Sequence, residues 1–250
     1  MISKISTASL LAGFVLLSAC SRDAQTEQEV TTRTSGGEAS TSMSGDSADK
    51  RGEALVRVVN AVPETKSLTI RADETHALPS VEYKGVTPYH SIDRNWVTFQ
   101  VSRASDATYA PIETNREMLT DGHRYTIVVM RENDAAGLKT RVIRDDLAND
   151  ATKAQVRVIN AAEGFDEIDV RRKGVNDDDL FSGVNVGSEA GFKAIDPWAG
   201  TLEFRAEDGK RLLATIAKAD LQAGKSYTIV LAPGKSGKLD AFWFEDAPTQ

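Results

Sequence analysis

The chain has 250 residues, 40% hydrophobic, 27% charged and 6% aromatic, ordinary proportions for a soluble globular protein that exclude wholesale disorder, collagen and a multispanning membrane protein. Lys and Arg number 30 against 37 Asp and Glu, a net charge of −7 that argues against any general electrostatic grip on nucleic acid. One Cys and three His leave little material for metal clusters, and the length suits one large or two small domains able to bury a core without disulfides.

Met1 to Cys20 carries a single basic residue, Lys4, then an apolar stretch from Leu10 to Leu17, then small residues before the cysteine. This is the layout of a secretory signal, and it is too short to remain as a bilayer-spanning helix. Leu17-Ser18-Ala19-Cys20 resembles the lipobox of bacterial lipoproteins. That resemblance implies removal of residues 1–19, acylation of Cys20, and a lasting membrane anchor made by several acyl chains, since one chain alone holds only marginally. Ser21 stands where such lipoproteins carry Asp as an inner-membrane retention signal, so the resemblance implies a bacterial cell envelope location at the outer membrane. Cleavage removes Lys4 and no acid, giving −8, so anionic head groups would add little to the anchor.

From Ser21 to Glu53 the chain is dominated by Thr, Ser, Gly, Glu, Asp and Gln, with Val30 and Met43 the only large aliphatic side chains. Such a composition cannot offset ordering entropy by burial, and residues 20–53 are expected to form a lipidated, disordered tether with a reach of about 30 Å.

Beyond Glu53 the sequence repeats itself. Ala54–Ala61 reads ALVRVVNA and Ala154–Ala161 reads AQVRVINA, with six of eight residues identical. Leu119–Met130 reads LTDGHRYTIVVM and Leu221–Ala232 reads LQAGKSYTIVLA, again with six identities. Between these blocks, IDRNWVTFQV from Ile92 aligns with IDPWAGTLEF from Ile195. Two homologous domains are expected, 54–150 and 151–250, joined by the short linker Ala148–Lys153. Within each, apolar residues alternate with period two, as in Leu68 and Ile70, Val97, Phe99 and Val101, or Leu202 and Phe204, which is the pattern of half-buried strands. Tyr125–Met130 and Tyr227–Leu231 are nearly continuous apolar runs suited to central strands. Leu212–Leu221 reads as strand and corner. About seven strands per repeat predict an all-β chain of two tandem immunoglobulin-like β-sandwich domains, each able to fold alone. The spacing Leu-x-x-Gly-x-x-Tyr at Leu119, Gly122 and Tyr125, and at Leu221, Gly224 and Tyr227, predicts a tyrosine corner in each repeat.

The opening V-R-V-x-N-A strand, the middle I-D-x-W-x-G-T-L-x-F block and the late L-x-x-G-x-x-Y-T-I-V strand together resemble the bacterial envelope domains grouped as domain-of-unknown-function family 4397. The resemblance covers both repeats, with Val97 of repeat one standing where repeat two has Gly200. It implies a secreted or lipid-anchored sandwich without an assigned reaction, and offers no catalytic residues to carry over.

Nucleophilic catalysis needs Ser or Cys beside His and a carboxylate. His76, His90 and His123 all lie in repeat one, none has a His counterpart in repeat two, and no Ser sits in a G-x-S-x-G elbow. No enzyme activity, cofactor or resident metal is therefore expected. Asn176, Asp177, Asp178 and Asp179 supply oxygen ligands but lack the spacing of a calcium loop and read as a solvated turn. Trp243, in the run AFWFE, reads as core. Trp96 and Trp198 fall at near-equivalent places and are the candidate ligand contacts, each of which could instead plug its own sandwich. The expected role is a non-enzymatic envelope lipoprotein, held by its lipid at Cys20 and presenting two β-sandwich domains to an envelope protein or polysaccharide. The alternative is an enzyme or calcium-dependent module acting on an envelope polymer.

Overall fold

The computed structural model describes residues 52–246, apart from 64, 74–75, 105–110, 133–136, 149, 176–178, 207–208 and 235–237, and these belong to one compact unit, Ser47–Gln250. The signal, Cys20 and most of the tether lie outside the described residues. Every regular element described is a strand. The first half contains β1 (Ala54–Asn60), β2 (Ser67–Ala72), β3 (His76–Glu82), β4 (His90–Ile92), β5 (Trp96–Val97), β6 (Phe99–Arg103), β7 (Ile112–Glu113), β8 (Glu117–Met118), β9 (Arg124–Arg131) and β10 (Leu138–Arg144). The second contains β11 (Ala154–Asn160), β12 (Glu167–Arg172), β13 (Phe181–Asn185), β14 (Glu189–Ile195), β15 (Trp198–Ala206), β16 (Leu212–Leu221), β17 (Ser226–Pro233) and β18 (Leu239–Asp246).

Each half is a β-sandwich of two four-stranded sheets. They run β10-β9-β1-β4 and β3-β2-β6-β7 in the first half, with β5 and β8 as a separate pair, and β14-β11-β17-β18 and β13-β12-β15-β16 in the second. The opening strand of each half pairs in parallel with the late strand, Val56 opposite Tyr125 and Val156 opposite Tyr227, while the other pairings are antiparallel. This order departs from the immunoglobulin arrangement, in which strand B lies between A and E. Here β2 lies between β3 and β6 because a tight turn at Asp73, in the left-handed region at φ 51°, folds β3 straight back onto it. The chain leaves β1 instead by crossing to the opposite sheet.

That crossing explains the Asn of the V-R-V-x-N-A motif. Asn60 is fully buried; its Nδ2 donates to Thr65 Oγ1 at 3.2 Å and Val81 O at 3.1 Å, and its Oδ1 accepts from Val62 N at 2.8 Å. Asn160 repeats the arrangement with Phe165 O at 3.0 Å, Val184 O at 2.9 Å and Ala162 N at 3.0 Å. One side chain thus satisfies backbone groups that the chain exposes as it changes sheets. The tyrosine corners form as expected: Thr120 N donates to Tyr125 Oη at 2.9 Å and Gln222 N to Tyr227 Oη at 3.1 Å.

Three apolar clusters result. One fills the first sandwich with residues such as Val56, Val58, Phe99 and Ile127, and a second fills the other with Val156, Val158, Phe204 and Ile229. The third lies between the halves and joins Val59, Ala61, Val128, Met130 and Ile143 to Ile159, Ala161, Val230 and Ala232. Strands β1, β9, β11 and β17 therefore bury both faces, one in their own sandwich and one against the other half. This is the physical reason for their unbroken apolar sequence.

Replacing Asn160 by Ala removes one donor pair and one acceptor and strands buried backbone groups at a sheet crossing. The expected loss is about 3 kcal/mol, read as a lower urea midpoint at unchanged slope; a loss under about 0.5 kcal/mol would remove the structural role argued for this side chain.

Candidate functional site

On strand β1 and the residue just after it, period-two alternation sends Val56 and Val58 into the first sandwich and Arg57, Val59 and Ala61 to the seam between the halves. The same alternation on β11 brings Arg157 to the seam. Both arginines are buried, their side chains 4% and 2% exposed. Within its own half each donates through Nε to a threonine on the neighbouring strand, Arg57 to Thr126 at 2.9 Å and Arg157 to Thr228 at 2.8 Å. Each threonine donates in turn to an aspartate just past the last strand or at its end, Thr126 to Asp145 at 2.7 Å and Thr228 to Asp246 at 2.7 Å.

The close ion pairs cross over. Arg57 bonds Asp246 of the other half, and Arg157 bonds Asp145 at 2.6 Å, whereas the same-half pairs, Arg57 with Asp145 and Arg157 with Asp246, stand at 3.8 Å. Both carboxylates are fully enclosed. The four charges thus form a closed ring around a pseudo-twofold relation between the repeats, the geometry of an isologous interface within one chain. Aromatic rings cover the guanidinium faces, Tyr89 at 4.7 Å and Phe244 at 4.8 Å from Arg57, and Phe192 at 4.7 Å from Arg157. Tyr89 Oη also donates to Asp145 Oδ2 at 2.7 Å. Burial, reinforced by the charge of Asp145, pushes the Tyr89 phenol well above its ordinary range, so it keeps its proton and remains a donor.

A cleft of about 340 Å³ opens over this ring, lined by paired positions from the two halves, Gly122 and Gly224, Arg124 and Ser226, Asp145 and Asp246, together with His123, Arg144, Asp146 and Leu147. The chemistry available there is electrostatic cohesion. Asp145 and Asp246 accept from Thr, Arg and Tyr donors within the protein, and Arg144 Nε bonds Asp146 at 2.7 Å. His123 lies at the rim, its Nδ1 3.0 Å from Asp121 O, while His76 and His90 sit on β3 and β4 and do not line the cleft. Further contacts cross the seam at its edges. Tyr83 Oη donates to Pro233 O at 2.9 Å, Lys84 pairs with Asp240, and Arg141 donates to Gly187 O at 2.9 Å.

The two tryptophans chosen from sequence do not occupy equivalent faces. The ladders equate Phe99 with Leu202, through their pairing to Ala72 and Arg172, and hence Trp96 with Ala199, so Trp198 lies one residue earlier on its strand. A one-residue slip on a strand reverses the side chain. Trp96 is 51% exposed, opposite the exposed Met118 and beneath the Arg116 guanidinium at 5.5 Å. Trp198 packs against the second core and folds over Gly200, where an added Cβ would lie 2.5 Å from its ring. The indole therefore fills the volume that Val97, at the aligned position, fills in the first half. Trp243, read as core, is only half-buried: its ring packs on the core edge, 5.2 Å from the Tyr227 ring. Of the acidic run, Asp179 pairs with Arg171, and Asn176, Asp177 and Asp178 lie outside the described residues.

Sequence reading missed Arg57 and Arg157 as site residues. The signal was present: a charge identical in both repeats, placed in the middle of an otherwise apolar strand.

Residues 54–171 match the family described as a domain of unknown function (DUF4397), a span that covers the first half and continues through β11 into β12. No curated protein matches the chain. Among solved structures, the crystal structure of a "putative cell adhesion protein" from Bacteroides fragilis is similar over 80% of this chain and 99% of its own, at 9% identity and a TM-score of 0.20. A likeness that low defines neither fold nor function.

Two outcomes follow from this geometry. Arg157→Met alone leaves Asp145 without its close partner and should cost about 3–5 kcal/mol, while the fourfold change of Arg57 and Arg157 to Met with Asp145 and Asp246 to Asn should cost less than the sum of its single changes. Additive losses in denaturant melts would mean that the ring is not a coupled unit. Separately, Trp198→Ala should lower stability by about 3 kcal/mol and Trp96→Ala by under about 0.5 kcal/mol, so equal thermal shifts would contradict the assignment of one as plug and the other as surface.

Proposed function

We propose that this chain is a non-enzymatic lipoprotein of the bacterial envelope, anchored through Cys20, that presents its two fused sandwiches as a single binding body. The observation that carries this reading is the use made of the buried charges at the central cleft. Arg57, Arg157, Asp145 and Asp246 are spent on holding the repeats together, which leaves the protein's outer surface, rather than that cleft, for recognition. The lipobox-like Leu17–Cys20 supports the anchor, and Ser21 supports the outer membrane. The polar composition of 21–51 supports its reading as the tether between anchor and body, while Gly52 and Glu53 already bond Asp121 and Gly122 of the folded part. The matched family has no assigned activity and is compatible with a binding role.

Cys20→Ser should abolish lipid attachment, seen as loss of metabolic labelling by palmitate and release of the protein, or of its uncleaved precursor, from the detergent-requiring membrane fraction. A Cys20→Ser protein that is still cleaved normally and still needs detergent for extraction would overturn the anchor.

A further inference from the structure

The second half carries a feature that the first lacks. Trp243 lies on β18, at the edge of its sheet, and lines a cavity of about 320 Å³ with Asp220, Gln222, Lys225, Tyr227 and Glu245. In the first half the equivalent positions are Val142 for Trp243, Met118 for Asp220 and His123 for Lys225, so no corresponding aromatic cup is built there. The cup is held by the surrounding fold. Tyr227 packs against the indole with ring centroids 5.2 Å apart, and its hydroxyl fixes the backbone of Gln222 through the 3.1 Å tyrosine-corner bond. The polar groups around the ring stand in two couples, Gln222 Nε2 donating to Asp220 Oδ2 at 2.7 Å and Lys225 Nζ bonding Glu245 Oε2 at 3.0 Å.

We propose that this cup binds a pyranose ring of a neutral saccharide, which gives the binding role above its ligand class and rests on that role. An indole presents a flat apolar surface that suits the C–H face of a sugar ring, and its one polar edge leaves that surface dry. Carboxylate, amide and ammonium groups at the rim supply acceptors and donors side by side, the arrangement needed by neighbouring sugar hydroxyls, each of which both donates and accepts. Ligand sites commonly combine an aromatic wall with a few placed polar groups in this way. Two acids against one lysine make the cup slightly negative, which favours a neutral ring over a phosphorylated or sulfated polymer.

Full-length protein in detergent, labelled with 5-fluorotryptophan and with its three resonances assigned by single Trp→Phe changes, gives the test. Neutral tetrasaccharides of glucose, mannose, galactose and N-acetylglucosamine are added to about 10 mM, which covers millimolar affinity. At least one should shift the Trp243 resonance saturably and leave Trp96 in place. Trp243→Leu should weaken that binding by about tenfold or more, and Asp220→Asn, an exposed change that spares the core, by about threefold or more. The inference is overturned if no tetrasaccharide moves Trp243, if only Trp96 responds, or if Asp220→Asn binds as tightly as the parent. Loss of saccharide binding with envelope proteins still captured by crosslinking would remove the ligand class and leave the binding role standing; absence of both would remove both.

Discussion

Four buried charges exchanged between two repeats determine how the folded body is assembled. An arginine and an aspartate that share a half are bridged by a threonine but stand 3.8 Å apart, and each finds its close partner only across the seam. Taking such ions out of water costs several kcal/mol each, which Coulomb attraction offsets only when geometry and hydrogen bonding are complete. The apolar residues alongside, Val59, Val128, Ile159 and Val230, supply non-directional cohesion that would tolerate many relative placements. The charges do not, because any shift of one sheet over the other separates two pairs at once. The division of labour is therefore cohesion from the aliphatic seam and registration from the ion ring, with Tyr89, Phe244 and Phe192 excluding water from the guanidinium faces.

This exchange bears on the expectation that each repeat folds alone. Each half does own a complete pair of sheets and its own core, the feature from which that expectation was drawn. The face that carries Arg57, Val59 and Ala61, however, is a solvent face only if the other repeat is missing. An isolated half would expose an aliphatic patch and leave Arg57 or Arg157 without its close carboxylate. Whatever an isolated repeat does, it lacks the partner charges that complete its surface in the tandem.

How much of this was legible in the sequence follows from what period and repetition encode. The long strands such as β1, β2, β9 and β10, the strand character of Leu212–Leu221 and the tyrosine corners depend on local pattern, and the structure has them where the pattern places them. The two- and three-residue strands β4, β5, β7 and β8 are too short to leave a period and bring the first half to ten strands and the second to eight, where about seven each were expected. Strand order does not depend on local pattern, because a period-two strand is equally content beside any neighbour; hence immunoglobulin-like connectivity was expected and a parallel β1–β9 pairing was found. The Arg57–Asp246 contact joins residues 189 apart and could not be inferred from either motif alone. Trp96 and Trp198 show a subtler limit. Sequence alignment put them one residue apart, a small offset on paper that on a strand reverses the face, so that one indole reaches solvent and the other replaces a buried valine.

The residues identical in both repeats can now be sorted by what they touch. Val56 and Val58 with their counterparts fill the two cores, Arg57 and Arg157 close the ring, Asn60 and Asn160 fix the sheet crossings, and Tyr125 and Tyr227 latch the corners. All of these serve the frame. Several positions that differ in chemistry between the halves are exposed or half-buried: Trp96 against Ala199, Val142 against Trp243, Met118 against Asp220. A duplicated frame keeps whatever the fold and the seam require and frees the remaining surface of each copy, so the positions that differ most in chemistry between equivalent sites are those at which recognition can be built without weakening the fold. The half-buried Trp243, which replaces a small aliphatic residue on an edge strand beside a cavity, is the clearest such position in the second half.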